Sequence, residues 1–129
     1  MDEEYSHKFA SLLNATVIDN SRYLSHQIQA VMRECELLVG MRFHSLVLGS
    51  ASGAAILGLV YAPKVKGYMR LLDCEEYCLE LRDVDKPIFV DTLVSAWDNR
   101  EELRQRQQEV VSNLKDTAQD AMRVTISQL

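Results

Sequence analysis

Two uncharged runs decide the fold class of this chain: Leu37-Leu38-Val39-Gly40 and Ala55-Ile56-Leu57-Gly58-Leu59-Val60. Short aliphatic runs without charges are typical of strands that are buried on both faces of a parallel sheet. Between them lies Phe43–Ser52, a segment of small and apolar residues that we expect to form a helix. Because parallel strands need such a crossover, the sequence predicts a strand–helix–strand unit with Leu37–Val39 and Ile56–Val60 as central strands.

The rest of the chain continues this alternation of helices and strands. The expected elements are a helix over Glu3–Leu13, a strand over Thr16–Asp19, a helix that begins at Ser21, a helix from Pro63 to about Leu72, a fourth strand over Tyr77–Leu81, a helix over Ile88–Trp97 and a long polar helix from Asn99 onward. This order predicts an α/β fold, a Rossmann-like parallel sheet of at least four strands with helices on both faces, in a single domain over residues 1–129. We expect Trp97, near the end of an apolar helix, to lie in the core.

Composition and charge exclude several classes of protein. The 129 residues include 14 Lys and Arg against 19 Asp and Glu, for a formal net charge of -5, and 47% of them are hydrophobic. An acidic chain is poorly suited to nonspecific nucleic-acid binding. The uncharged stretch Ser45–Pro63 contains three serines and three glycines and stops at a proline, which predicts a buried helix and strand rather than a membrane span. With three cysteines and no secretory signal, we expect a cytoplasmic protein with reduced thiols.

The first junction between a strand and a helix carries a set of residues suited to an anion. Ligands of open parallel sheets bind beyond the carboxyl ends of the strands. Here Gly40 allows close backbone approach, and Arg42 offers a planar fork for a carboxylate or phosphate. His44 adds an imidazole, which can hold or donate a proton, and Ser45 adds a hydroxyl. The first turn of the following helix also favours negative charge.

The second junction adds two lysines, Lys64 and Lys66, in the first turn of a helix. Their charge opposes the helix dipole, and such an exception to a local rule suggests a function. Because one helix and one strand separate His44 from Lys64, both junctions return to the same edge of the sheet, and we predict an anion pocket there. The alternatives are ordinary ones: a surface ion pair for Arg42, a core histidine, and a solvated turn for the lysines.

Cys35, Cys74 and Cys78 do not predict a metal site. The spacing of the last two lies within the range of zinc ligands, but no fourth ligand is evident in the sequence. We therefore expect core or strand-edge cysteines and no metal.

The two junctions also resemble those of a known family. The motifs Leu38-Val39-Gly40-Met41-Arg42-Phe43-His44-Ser45-Leu46 and Gly58-Leu59-Val60-Tyr61-Ala62-Pro63-Lys64-Val65 are similar to those of the polysaccharide pyruvyl transferases, especially the cell-wall type. Leu79–Leu81 and Trp97–Leu103 fit the C-terminal end of that family. Two positions depart from its pattern, because Ala62 stands where Asp is usual and Phe43 where a more aliphatic residue is usual.

The resemblance implies a GT-B-like architecture of two Rossmann-type domains, with this chain as the C-terminal, donor-binding domain and the N-terminal domain missing. It implies transfer of pyruvate from phosphoenolpyruvate onto two sugar hydroxyls of a cell-surface polysaccharide precursor, as a ketal, without a further cofactor. Arg42, His44 and Lys64 match family positions linked to donor binding and catalysis. We expect His44 to be the catalytic residue, either as the acid or as a phosphate ligand, and Gly40, Ser45 and Lys66 to complete the substrate site.

Two other functions stay open. One is a nucleotide-sugar glycosyltransferase domain of the same architecture, although no Glu stands out as a ribose ligand. The other is a non-catalytic, truncated domain that only binds a partner, which Ala62 and the missing first domain favour. If the chain is a pyruvyl transferase domain, we expect it to show no pyruvyl transfer in isolation, because one domain cannot form a two-domain cleft. We expect the face that would meet the missing domain to offer a surface for homo-oligomers.

Overall fold

The computed structural model describes residues 2–18 and 21–127 of the chain. Its helices and strands are, in chain order, α1 (Asp2–Leu13), α2 (Ser25–Glu34), β1 (Leu37–Gly40), α3 (Phe43–Ser52), β2 (Ala55–Val60), α4 (Pro63–Leu71), β3 (Cys78–Glu80), α5 (Pro87–Asp98) and α6 (Arg100–Ser127). Short 3-10 turns, Glu75–Tyr77 and Leu81–Asp83, flank β3. The α/β class predicted from the sequence is confirmed. No helix among the described residues has the length and apolar character to cross a membrane.

The sheet is parallel throughout and has the order β1-β2-β3. Val60 pairs with Glu80, so β2 and β3 end side by side, and Gly40, the last residue of β1, pairs with Gly58, two residues before the end of β2. The prediction that β2 is central is confirmed. The described residues hold three strands, so the prediction of at least four is wrong.

The prediction that β1 is a central strand buried on both faces is also wrong. It forms one edge of the sheet, and the side chain of Val39 is 43% exposed. Trp97, on the α5 side of this strand, is 48% exposed rather than buried in the core. Its ring packs instead under the guanidinium of Arg100, 4.5 Å from the ring centroid. An uncharged strand can thus lie at an edge where a helix covers it only in part.

The segment before α2 also differs from the sequence prediction. Thr16–Ile18 is irregular rather than a strand, Asp19 lies outside the described residues, and α2 begins at Ser25 rather than Ser21. A β-branched run predicts a strand only where neighbouring strands are available to pair with it.

Helices lie on both faces of the sheet. On one face, Ile56 and Gly58 of β2 face Gly49 of α3 and Met69 of α4. On the other face, Leu37 and Val39 form an apolar groove with three residues of α5, namely Leu93, Val94 and Trp97. The core therefore centres on β2, where Ala55, Ile56 and Leu57 are fully buried.

Helix α6 completes the sheet at the point where β3 is too short. Pairing between β2 and β3 begins only at Gly58, so the backbone of Ile56 has no strand partner on that side. The buried Gln107 side chain takes this place. Its Oε1 accepts from the Ile56 N–H at 3.0 Å, and its Nε2 donates to the Ile56 carbonyl at 3.1 Å.

We expect Gly40→Ala to destabilise the fold by about 1–3 kcal/mol, the usual cost of overpacking. A Cβ at Gly40 would lie 2.5 Å from Cδ2 of Leu46, which is fully buried and has little room to move. The matched control is Gly67→Ala in the middle of α4, where a Cβ meets no atom within 4 Å. It should stabilise the fold by about 0.5–1 kcal/mol. Urea denaturation measures both, and equal effects would contradict the packing described here.

Candidate functional site

A cavity of about 440 Å³ lies beyond the carboxyl ends of all three strands. We call it the aromatic cavity. Its lining comes from the residues that follow β1, β2 and β3, namely Met41, Arg42, Phe43, His44, Tyr61 and Leu81. The parallel register brings these separate segments together, because it aligns the ends of the strands. This is the edge of the sheet at which the sequence predicts an anion pocket.

Arg42 and His44 reach this cavity from the start of α3. Arg42 is the residue that precedes the first turn of the helix, and both side chains are exposed. The hydroxyl of Ser45 donates to the Arg42 carbonyl at 2.6 Å, and the Ser45 N–H donates to the same oxygen at 3.0 Å. These bonds fix the turn that carries the guanidinium and the imidazole.

Lys64 lies against the aromatic wall of the cavity. Its ammonium nitrogen is 5.8 Å from the ring centroid of Phe43 and 5.8 Å from that of Tyr61. Distances below about 6 Å allow cation–π attraction. Phe43 also meets the His44 ring edge-on, with centroids 5.8 Å apart. One phenyl ring thus contacts both the imidazole and the ammonium group.

The position of Phe43 is itself fixed from behind. Its ring packs edge-on against Tyr68 of α4, with centroids 5.5 Å apart. The hydroxyl of Tyr68 is hydrogen-bonded to that of Ser50 at 2.7 Å, and burial raises the pKa of this phenol. Phe43 is therefore part of an aromatic wall between α3 and α4.

Gly40 and Ser45 have roles that the sequence does not reveal. Gly40 is buried, and it is the side chain of Leu46 that approaches its Cα, so this glycine allows α3 to pack on β1. Ser45 is outside the aromatic cavity and lines a second cavity on the α2 side.

Lys66 is not brought together with the other cationic groups. Its ammonium lies 3.8 Å from a carboxylate oxygen of Glu75, and Arg70 bonds the same carboxylate at 2.8 Å. The hydrogen bond from Arg70 lowers the pKa of Glu75. Lys66 therefore belongs to a surface ion-pair cluster, on a different face of α4 from Lys64.

Ala62 lies at the N-cap of α4, with extended backbone and no side-chain cap. An Asp at this position would accept from the free N–H groups of the first turn, where Lys64 and Lys66 also attract a carboxylate. We expect Ala62→Asp to stabilise the fold by about 0.5–2 kcal/mol in thermal or urea denaturation. Ala62→Asn supplies a capping side chain without charge, so it separates the contribution of the capping hydrogen bond from that of the negative charge. A carboxylate that leaves stability unchanged would contradict a capping role at this position.

Sequence reasoning did not single out Tyr61, Met41 and Leu81 as lining residues. Tyr61 directly follows β2, so its position at the carboxyl end of a central strand was the available signal. Leu81 gave no signal, because it reaches the cavity only through the alignment of β3 with β2.

The three cysteines are unpaired, and Cys74 is buried. Burial raises the pKa of the Cys74 and Cys78 thiols to about 11. In the described part of the chain, no group of three or more His, Cys, Asp or Glu residues is placed to hold a metal ion. Cys74 is a core residue and Cys78 begins β3, as predicted, whereas Cys35 lies at the C-cap of α2, before β1.

We expect the raised thiol pKa values to make the fold less stable as the pH rises from about 9 to about 11. In this window the unfolded chain loses the thiol protons while the folded chain keeps them, so ionisation favours unfolding. Urea denaturation at pH 8 and pH 10.5 measures the fall. The pKa of Tyr68 is also raised, so its ionisation also favours unfolding as the pH rises. Comparison with Cys74→Ala separates the contribution of the Cys74 thiol from that of Tyr68. An equally steep fall in the variant would show that Cys74 contributes nothing.

Comparison of the chain with protein-family models, with curated proteins and with solved structures finds no match in any of the three.

Proposed function

We propose that this chain binds phosphoenolpyruvate as the donor domain of a polysaccharide pyruvyl transferase, which adds pyruvate ketals to a cell-surface polysaccharide precursor. The observation that carries the proposal is the aromatic cavity. Arg42 and His44 line it, and Lys64 lies against its wall, at the carboxyl edge of a parallel sheet. The resemblance of both junctions to that family supports the same conclusion.

The charge distribution of the cavity suits this donor. Phosphoenolpyruvate carries a carboxylate and a phosphate within a few bonds of each other, so it needs several cationic groups. The described lining contains no Asp or Glu, although the chain as a whole has a net charge of -5. The fork of Arg42 suits bidentate contact with one anionic group, and the ammonium of Lys64 suits the other.

The reaction needs one proton donor and two acceptor hydroxyls. The methylene carbon gains a proton, and the first hydroxyl oxygen bonds to the adjacent carbon while its own proton is released. The carbon–oxygen bond to phosphate then breaks with its electron pair, and the second hydroxyl oxygen bonds to the same carbon and releases its proton to the departing phosphate. We assign the first protonation to His44, which the first hydroxyl proton then restores.

Ligand-observed NMR with phosphoenolpyruvate and with uridine diphosphate tests the proposal. We expect phosphoenolpyruvate to bind and Lys64→Met to weaken its binding, because methionine keeps an unbranched side chain of similar length and loses the charge. Lys115→Met, in the exposed part of α6, is the matched control. Tighter binding of uridine diphosphate would favour a nucleotide-sugar glycosyltransferase instead. If neither ligand binds, the donor assignment is wrong.

A further inference from the structure

A second cavity, of about 520 Å³, lies between α2 and α3. We call it the α2 cavity. Its volume lies within the usual range for small-molecule sites, about 300–1,000 Å³. It shares Arg42 and His44 with the aromatic cavity, and its described lining contains no Asp, Glu or Lys. The other side chains that matter for its chemistry are apolar, namely Leu24, Ile28, Met32 and Leu48.

The apolar side of this cavity is incompletely packed. Helix α2 has no fully buried residue, and Ile28 and Met32 are only half-buried, as is Leu48 on α3. An amphipathic helix usually buries such a stripe against the core. Leu24, at the N-cap of α2, is 66% exposed. Apolar surface is thus left open to water, and an apolar ligand that covered it would gain free energy.

The polar side of the cavity is at the start of α3. The side chains of Arg42 and His44 are exposed and line it there. The hydroxyl of Ser45 already donates to the Arg42 carbonyl, so it is not available as a donor to a ligand. The guanidinium offers paired N–H donors whose geometry matches a carboxylate. A cationic group beside open apolar surface favours a ligand with an anionic head and a hydrocarbon chain.

The apolar stripe also sets the length of that chain. Leu24, Ile28 and Met32 follow one another at intervals of four residues, so they lie on one side of α2. At 1.5 Å per residue the stripe is about 12 Å long, close to the length of an extended chain of about eight to ten carbons. A space between two helices accommodates one such chain, whereas a membrane lipid with two chains would need a wider surface.

We propose that the α2 cavity binds a free, unbranched carboxylic acid of medium chain length, with its carboxylate at Arg42 and its alkyl chain along Leu24, Ile28 and Met32. The assignment is independent of the proposed function, because it depends on the lining of the α2 cavity and not on phosphoenolpyruvate. The two ligands can therefore be measured separately on the same protein.

Calorimetry on the full chain at neutral pH compares octanoate with two probes that each lack one half of its chemistry. Butyrate has the same carboxylate and four methylenes fewer, and 1-octanol has the chain without the charge. Each methylene that becomes buried strengthens binding about fourfold. Since the cavity covers the chain only in part, we expect octanoate to bind about tenfold more tightly than butyrate. The charge-assisted hydrogen bond to Arg42 should make octanoate about tenfold tighter than 1-octanol as well.

Two variants locate the site. Leu24→Ser removes an apolar lining residue without endangering the fold, because serine is preferred over leucine at an N-cap. It should weaken octanoate about three- to fivefold. Leu12→Ser, the matched control, makes the same change at a position of α1 that is 73% exposed and outside the described lining of the cavity. It should leave octanoate affinity unchanged, whereas Arg42→Ala should reduce it about tenfold.

The proposal is wrong if octanoate does not bind at millimolar concentration, if butyrate or 1-octanol binds equally well, or if Leu24→Ser behaves like Leu12→Ser. Vesicles of phosphatidylglycerol and phosphatidylcholine separate a free acid from a membrane lipid. Cosedimentation with these vesicles that Leu24→Ser abolishes would contradict a free acid and assign the cavity to a lipid. If octanoate binds as described and phosphoenolpyruvate does not bind, the proposed function fails and the site for the acid stands.

Discussion

Replacing Gln107 by Ala is expected to destabilise the protein by about 2–6 kcal/mol, because each buried backbone group left without a partner costs about 1–3 kcal/mol. The Gln107 side chain is fully buried and bonds both the N–H and the carbonyl of Ile56. Its loss would leave the middle strand with two unsatisfied groups in the core. Since small domains have a total stability of about 5–15 kcal/mol, the variant should be close to unfolding.

Two further variants locate the effect. Gln105→Ala makes the same change at an exposed position of α6 and should alter stability by less than about 0.5 kcal/mol. Gln107→Glu keeps the size but offers no donor to the Ile56 carbonyl, so it should destabilise almost as strongly as Ala. Urea denaturation gives the energies, and hydrogen exchange reports the Ile56 amide. Unchanged protection of that amide in Gln107→Ala would contradict the assigned bond.

Replacing Arg42 by Ala is expected to weaken phosphoenolpyruvate binding about ten- to a hundredfold, since a charge-assisted hydrogen bond contributes about 1.5–3 kcal/mol. Arg42 lines the aromatic cavity from the N-cap position of α3. Arg42→Lys should also weaken binding, because a point charge does not replace a planar fork. Calorimetry at low ionic strength measures the dissociation constants of phosphoenolpyruvate for the unchanged protein, Arg42→Ala and Arg42→Lys.

The control for charge is Arg123→Ala near the end of α6, which removes the same charge at an exposed position. It should leave binding within about twofold, because exposed charges farther apart than a Debye length are largely screened. An equal loss in Arg42→Ala and Arg123→Ala would mean that net charge, and not a site at α3, governs binding.

The part of the fold that local chemistry determines was predictable from the sequence. The bounds of α3 and β2 agree with the prediction, since β2 is an uncharged run and α3 ends at Gly53, whose φ of 98° is left-handed. The sequence also predicted that both strand-to-helix junctions lie at one edge of the sheet, because the carboxyl ends of parallel strands share an edge. Arg42 and His44 therefore lie in one cavity, with Lys64 at its wall.

The rest depends on contacts between distant parts of the chain. Gln107 takes the place of a strand partner for Ile56, 51 residues away, and no local pattern indicates this. Lys66 resembles Lys64 in the sequence but meets Glu75 once β3 is in place. The edge position of β1 likewise depends on which strands are present, and its own composition could not reveal it.

The most direct test of the central claim is a titration of the 15N-labelled chain with phosphoenolpyruvate, followed through backbone amide shifts. We expect the largest changes in residues 40–45 and 61–64, at the ends of β1 and β2, and the same changes to be much reduced in Arg42→Lys. Changes confined to other regions, such as the ion-paired arginines of α6, or no changes at millimolar ligand, would contradict a donor site at this edge of the sheet.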